Sequence, residues 1–232
     1  MWMSARSYEP EILDVETPSP DELKKCYVWM KAINRWLGGV SATLSWFEHF
    51  SRHWSPGETI RVLDVGAGSA DIPRALIIWA SKRGFSLTVT ALDIDLDALK
   101  WAREDAGEEG MRFLSANVLR IPCRPGAFDY VTSSLFFHHL TDEQIIEVLS
   151  AMDGIARRGI VINDLARSRS AWILSQGLML FANRIVKNDG PLSIKKSLRV
   201  DEACGLIERS GLGYLTTQGH PFYRLTIAGE KA

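Results

Sequence analysis

The chain has 232 residues, 27 lysines and arginines against 28 aspartates and glutamates, a net charge of −1 and 46% hydrophobic residues. That is enough for one α/β domain with a sizeable core and a small appendage, and its composition is ordinary for a soluble globular protein. The charge balance argues against nucleic acid as a partner, and the scattered Cys26, Cys123 and Cys204 argue against a disulfide framework or a zinc site, so no metal is expected.

The first residues, Met1-Trp2-Met3-Ser4-Ala5-Arg6, lack the apolar core of a signal peptide. The longest apolar stretch, Ala171 to Ala182, is too short to span a bilayer. A cytoplasmic location is therefore the default expectation, with no membrane span and an open oligomeric state.

Residues up to about 18 read as an arm. Ser19-Pro20-Asp21-Glu22 signals a helix start, with Ser19 as cap, Pro20 in the first turn and Glu22 completing a capping box. The helix runs to Leu37 and stops at Gly38-Gly39. A second helix spans roughly Ser41 to His53, and Ser55-Pro56-Gly57 breaks the chain. Trp2, Trp29, Trp36, Trp46 and Trp54 all fall in this region, five of the eight tryptophans. They are expected to fasten the helices to the domain or to line a pocket for a flat or greasy substrate.

A strand from Ile60 to Val65 then enters a small-residue turn, Gly66-Ala67-Gly68-Ser69-Ala70-Asp71, followed by a helix from Ile72 to Ser81. A strand, a glycine turn and a helix N-terminus make a ligand cradle. A nicotinamide-binding loop would need a third glycine at position 71 to receive pyrophosphate, and that position is Asp71. Asp64 adds a second negative group. At ~4 Å two like charges cost about 4 kcal/mol at an effective dielectric of about 20, so a ligand with cationic parts suits this loop better.

Leu87 to Asp93 reads as the next strand, ending in an acid able to accept ribose hydroxyls, and Asp95 is expected to cap the helix Leu96 to Glu104. Met111 to Ala116 is the third strand, leading to Asn117-Val118. Phe128 to Ser134 is the fourth, followed by Phe136-Phe137-His138-His139-Leu140 and a helix capped by Thr141 with Gln144. Ile160 to Leu165 is the fifth strand, ending on Asn163-Asp164. A helix from Ala171 to Ile185, a turn at Asp189-Gly190-Pro191 and a helix from Val200 to Arg209 come next. The last two strands, Tyr214 to Gln218 and Phe222 to Ala228, are expected to pair through Gly219-His220-Pro221.

Asp64-x-Gly66-x-Gly68, with Ala70 where a last glycine is usual, resembles the first motif of the class I S-adenosylmethionine-dependent methyltransferases. Together with Asp93, Asn117-Val118, the Phe128-Asp129 strand and the terminal hairpin, the resemblance covers about residues 60 to 228. It implies a Rossmann-like α/β sheet of seven strands, the last antiparallel. Residues 1–57 would form an arm and helical lid, and residues 58–232 the S-adenosylmethionine-binding domain. It places the cofactor against Asp64, Gly66, Ala67, Gly68, Asp93, Ile94, Asn117, Val118 and Ser134. Within the class the chain is similar to the ubiquinone/menaquinone methyltransferase group. Asn163-Asp164-Leu165-Ala166-Arg167 and Asp189-Gly190-Pro191-Leu192-Ser193 resemble a branch that O-methylates phenolic polyketides. Ser133-Ser134-Leu135-Phe136 replaces the Asn/Asp-Pro-Pro-aromatic turn of enzymes that methylate exocyclic amines.

Methyl transfer needs an aligned, desolvated nucleophile, and a phenol near pKa ~10 benefits from a base. The candidates are His139, His138 and Asp164, with His220 as a further histidine. Arg167 and Arg169 are expected on the solvated surface. The leading expectation is methyl transfer to an oxygen of a small phenolic or polyketide acceptor. Its rivals are carbon methylation of a quinone precursor, a nicotinamide-dependent reductase, and a non-catalytic S-adenosylmethionine-binding protein.

Overall fold

The computed structural model describes residues 3–106 and 110–231, so Trp2 lies outside the described residues. Its strands are β1 (Thr59–Val65), β2 (Ser86–Asp93), β3 (Met111–Ser115), β4 (Phe128–Ser134), β5 (Ala156–Leu165), β6 (Thr216–His220) and β7 (Arg224–Glu230). They form one seven-stranded sheet in the order β3-β2-β1-β4-β5-β7-β6. The first five strands pair in parallel, and β7 pairs antiparallel with both β5 and β6. Strand order reverses between β1 and β4. In open α/β sheets a ligand crevice forms beyond the carboxyl ends of the strands at such a point.

The helices are α1 (Ile12–Val15), α2 (Pro20–Trp36), α3 (Gly39–Phe50), α4 (Asp71–Lys82), α5 (Leu96–Ala106), α6 (Asp142–Ile155), α7 (Arg169–Leu178), α8 (Arg184–Lys196) and α9 (Val200–Ser210). Alternation along β1 divides the core. Ile60 and Val62 pack with Phe47, Phe50, Leu76 and Trp79 of α3 and α4. Leu63 and Val65 pack on the opposite face with Ile145, Leu149 and Met152 of α6 and Leu206 of α9. Tyr130 anchors α3: Phe50 stacks on it at 5.2 Å, Trp54 Nε1 donates to its hydroxyl at 2.8 Å, and that hydroxyl donates to Glu230 at 2.6 Å. Trp46 donates to Thr226 Oγ1, whereas Trp36 points outward, 70% exposed.

Local signals did what their chemistry demands at two helix starts. Ser19 Oγ accepts from Glu22 N while Glu22 returns a carboxylate to Ser19 N. Thr141 and Gln144 make the same reciprocal pair at α6.

Four readings need correction. The stretch expected as one helix from Ala171 to Ile185 ends at Leu178, because Asn183 caps a new helix by accepting from Val186 N. The expected turn at Asp189-Gly190-Pro191 lies inside that helix, α8. Asp189 accepts the backbone N–H groups of Ile12 and Leu13 at 2.8 and 3.2 Å, which ties the segment to α1. At Gly190 the Met179 sulfur lies 2.0 Å from where a Cβ would stand. The terminal hairpin is shifted by two residues, turning at Pro221-Phe222-Tyr223. Finally, Arg167 is buried rather than solvated, and its guanidinium pairs with Glu202.

Candidate active site

The glycine loop and its acids lie at the carboxyl ends of the strands, under Tyr27 and Phe136, and an apolar chamber is roofed by α1, α2, α7 and α8.

The loop begins where β1 ends. Gly66, Gly68 and Ala70 take left-handed φ values of 67°, 50° and 53°, which reverse the chain before α4. A side chain at Gly66 would collide with Phe136, whose ring lies 2.7 Å from the Cβ position. Gly68 lies under the Tyr27 ring of α2, and the Tyr27 hydroxyl donates to Asp95 Oδ2 at 2.8 Å. Asp93 Oδ2 accepts from Gly68 N at 2.6 Å and its Oδ1 from Asp95 N at 2.9 Å, so the acid of β2 holds the loop in shape. Asp95 caps α5 through Asp97 N and Ala98 N. Asn117 Oδ1 caps the short turn at Val118–Arg120 by accepting from Leu119 N. Ile94 is exposed, and Ser134 Oγ lies 3.4 Å from Asn163 Nδ2.

Asp64 is buried and accepts from Thr132 Oγ1 at 2.6 Å. Burial, with the charges of Asp71 and Asp93, pushes its pKa up to about 7 against that hydrogen bond. Burial also raises Asp71 and Asp93. At Asp71 burial outweighs the charges of Lys31 and Arg224, so a further cation would be stabilised beside these acids.

The polar atoms without partners suggest what supplies it. Asn34 Oδ1, Asp71 Oδ2, Asn163 Oδ1 and Arg224 Nη1 are buried and find no hydrogen-bond partner among the described residues. Three of them gather at the turn after α2. Asn34 Oδ1 stands against Gly39, Asn163 Nδ2 donates to Gly39 O at 2.8 Å, and Arg224 Nε donates to Leu37 O at 3.0 Å. Arg224 is fully buried, and burial pulls its pKa down to about 10 despite Asp164 and Asp71. Buried polar groups are rarely left unpaired. An amino acid moiety fits this set, its ammonium on the orphaned oxygens and its carboxylate on Arg224. S-adenosylmethionine carries such a moiety next to a sulfonium, and so fits the residues present.

The chamber is lined by Leu13, Trp29, Ile33, Leu135, Leu174 and Met179 among others, and Arg224 reaches its wall. Its polar end is made by His138, His139 and Glu11. Asp164 Oδ1 meets His138 Nδ1 at 2.8 Å, and Asp164 also accepts from His138 N and Leu165 N. Burial lowers the His138 pKa, but the charges of Asp164 and Glu11 outweigh it, and the net shift is upward. Asp164 moves down: its burial is offset by the same imidazole and by the backbone donors. The His139 ring lies 4.2 Å from that of His138, with Nδ1 3.4 Å from Asp14. His220 instead pairs through Nε2 with Thr226 Oγ1, outside the chamber lining.

The sequence reading gave Glu11, Tyr27, Asn34 and Arg224 no place at the site, although Tyr27 and Asn34 fall on one face of the first long helix. Glu11 sits in an arm without periodicity, and Tyr27 and Asn34 lie on an amphipathic helix whose partner face no pattern identifies. A visible cue existed only for Arg224, a lone cation heading the apolar run Leu225 to Ala228.

The hairpin turn beside the chamber carries strain. Phe222 and Tyr223 both hold left-handed φ, 59° and 57°, at about 1–2 kcal/mol per residue. Phe222→Gly relieves that strain but adds entropy to the unfolded chain, so a net stabilisation of at most about 1 kcal/mol is expected, read as a higher denaturation midpoint.

The sheet order, the antiparallel β7 and the glycine loop after β1 define a class I S-adenosylmethionine-dependent methyltransferase fold. Residues 62–159 match a family model described as a methyltransferase domain. Among curated proteins, the ubiquinone/menaquinone biosynthesis C-methyltransferase UbiE of Rickettsia felis is 31% identical over 101 residues, covering 42% of this chain and 40% of that protein. An uncharacterized methyltransferase of Geobacillus is 29% identical over 114 residues, covering 48% of this chain and 50% of its own length. The matches thus span half or less of those relatives. Among solved structures, the plantazolicin methyltransferase BpumL in complex with SAH superposes with a TM-score of 0.71 at 13% identity, over 92% of this chain and 91% of that one. The magnesium protoporphyrin IX methyltransferase of Synechocystis PCC 6803 with bound SAH gives 0.62 at 12%, over 91% and 94%. At these identities the structures speak for the fold. No helix among the described residues is long and apolar enough to cross a membrane.

Proposed function

We propose that the protein transfers a methyl group from S-adenosylmethionine to a hydroxylated aromatic small molecule held in the apolar chamber. The observation that carries this reading is the Asp164–His138 pair at the polar end of that chamber, together with the glycine loop's buried acids and the unpartnered atoms Asp71 Oδ2 and Arg224 Nη1, which suit the cofactor. The cofactor supplies a methyl on an already activated sulfonium. The loop's acids would favour the cofactor's positive charge, and Arg224 would hold its carboxylate through Nη1. Gly66, Ala67 and Gly68 let it approach the loop, while Asp93, Ile94, Asn117, Val118 and Ser134 border the remainder. Leu135 and the lid side chains exclude water from the chamber, which strips the acceptor of solvent.

Asp164 fixes the His138 ring through Nδ1 and leaves Nε2 toward the chamber, where it receives the acceptor's hydroxyl proton. His139 borders the same space. The phenolate that results is nucleophilic at oxygen and at the adjacent ring carbons. Oxygen methylation is the primary reading. Carbon methylation is favoured by the likeness to the UbiE protein and uses the same base.

The test has two parts. Thermal shifts with S-adenosylhomocysteine and with NADH separate cofactors, and stabilisation by NADH alone would reject the proposal. Incubation with methyl-labelled S-adenosylmethionine and a panel of phenols, quinols and polyketide pyrones then reads the product, the methyl carbon shift distinguishing oxygen from carbon. Asp93→Ala is expected to weaken cofactor binding at least about tenfold, since it removes both the loop's anchor and a ribose acceptor. Equal affinity in calorimetry would remove Asp93 from the site.

A further inference from the structure

We infer that Glu11, His138 and His139 form a binding site for one divalent transition-metal cation at the polar end of the chamber. One potential ligand atom from each of the three lies within 4.8 Å of the other two. His138 Nε2 is 3.9 Å from Glu11 Oε1, and His139 Nε2 is 3.9 Å from Glu11 Oε2. Those separations exceed a hydrogen bond. Atoms bound at about 2.1 Å to one tetrahedral ion lie about 3.4 Å apart, so each gap closes by only about half an ångström to seat an ion.

The surroundings are those of ligating imidazoles. Each ring's other nitrogen faces a carboxylate, Asp164 at 2.8 Å from His138 Nδ1 and Asp14 at 3.4 Å from His139 Nδ1. Such outer carboxylates fix the tautomer and strengthen the ring as a donor. Ser193 Oγ holds the Glu11 carboxylate at 2.9 Å. The charge also fits. Glu11, Asp14 and Asp164 face Lys196, 3.4 Å from Glu11 and 3.1 Å from Asp14, and Arg224, whose charge acts on Asp164. Three carboxylates against these two cations leave the polar end net negative, which favours a bound cation. Two imidazoles and one carboxylate favour zinc and its first-row neighbours over magnesium, and leave coordination positions open to the chamber.

The use of the ion rests on the methyl-transfer reading; its binding does not. A cation on His138 Nε2 takes the place of the proton there, so the loaded site acidifies a bound hydroxyl by its charge while the bare site does so by imidazole basicity. The open positions select an aromatic acceptor with two adjacent oxygens.

The test needs neither cofactor nor acceptor. Protein dialysed against chelator is titrated with Zn²⁺ by calorimetry at pH 7.5, and with Co²⁺ by visible absorption. One ion per chain is expected. His139→Ala and Glu11→Gln should each weaken Zn²⁺ binding by about 100-fold or more, and Asp14→Asn by about tenfold. His139 is 27% exposed, so its alanine variant is expected to stay folded, with circular dichroism as the control. Absence of saturable binding by the parent, or unchanged affinity in both the His139 and Glu11 variants, overturns the site.

Discussion

His138→Ala lowers the rate of methyl transfer by about two to three orders of magnitude and leaves cofactor affinity within about twofold. The size follows from losing a positioned acid–base group, and the selectivity from geometry. His138 faces the chamber and is bound by Asp164, and its hydrogen bonds and ion pairs among the described residues run to Asp164 and Glu11 rather than to the glycine loop. Asp164→Asn separates a role in orientation from mere packing. The amide keeps the shape but withdraws the charge that raises the imidazole pKa. Neutral His138 is the active form, so the parent gains rate as pH rises through a value above the ordinary 6.5. The Asn variant should gain it at lower pH, with a lower ceiling. Single-turnover kinetics across pH 5.5–8.5 measures both. A coincident pH profile for the two proteins would place the proton elsewhere.

The second large effect comes from Asp64. Its folded-state pKa is raised from 3.8 to about 7, so between those values the native protein keeps a proton that the unfolded chain has lost. Stability of the cofactor-free protein therefore falls as pH rises through about 4 to 7. A cationic ligand acts in the opposite sense. It favours the carboxylate and expels the proton, so S-adenosylmethionine affinity rises by up to about tenfold per pH unit until pH passes 7, then levels. Calorimetry at pH 5.5, 6.5 and 7.5 in buffers of different ionisation enthalpy counts the proton released. Asp64→Asn should bind with a flatter pH dependence and melt at a higher temperature than the parent at pH 7.5 without cofactor. A parent affinity independent of pH would detach Asp64 from the cofactor's charge.

Much of this molecule was legible along the chain because local chemistry is self-contained. Ser19 with Glu22 and Thr141 with Gln144 cap their helices using atoms three residues apart. The glycine turn after β1 needs backbone angles that glycine supplies, and Asp95 caps the helix beside it. The strands declare themselves because buried parallel strands are continuous apolar runs. The Asp64 and Asp71 carboxylates already argued for a cationic ligand before any contact was known.

What failed did so where distant segments meet. Asp189-Gly190-Pro191 has every local mark of a turn, yet the backbone of α1 and the sulfur of Met179 hold it helical. Arg167 is followed by Ser168 and Arg169 in a polar stretch, yet Glu202, thirty-five positions on, draws it inside. The arm held no periodicity, so nothing announced that Glu11 would reach the two histidines across the chamber.

By itself the sequence determined the order of elements, the caps, the glycine loop and the sign of the charge that loop prefers, because each depends on neighbours within a few bonds. Only the tertiary structure decided which histidine is held by Asp164, which arginine is buried with one nitrogen left without a partner, and how Glu11 closes the chamber's polar end. Those depend on free energy shared between segments far apart in the chain, where burial makes every unpaired charge costly and so selects its partner.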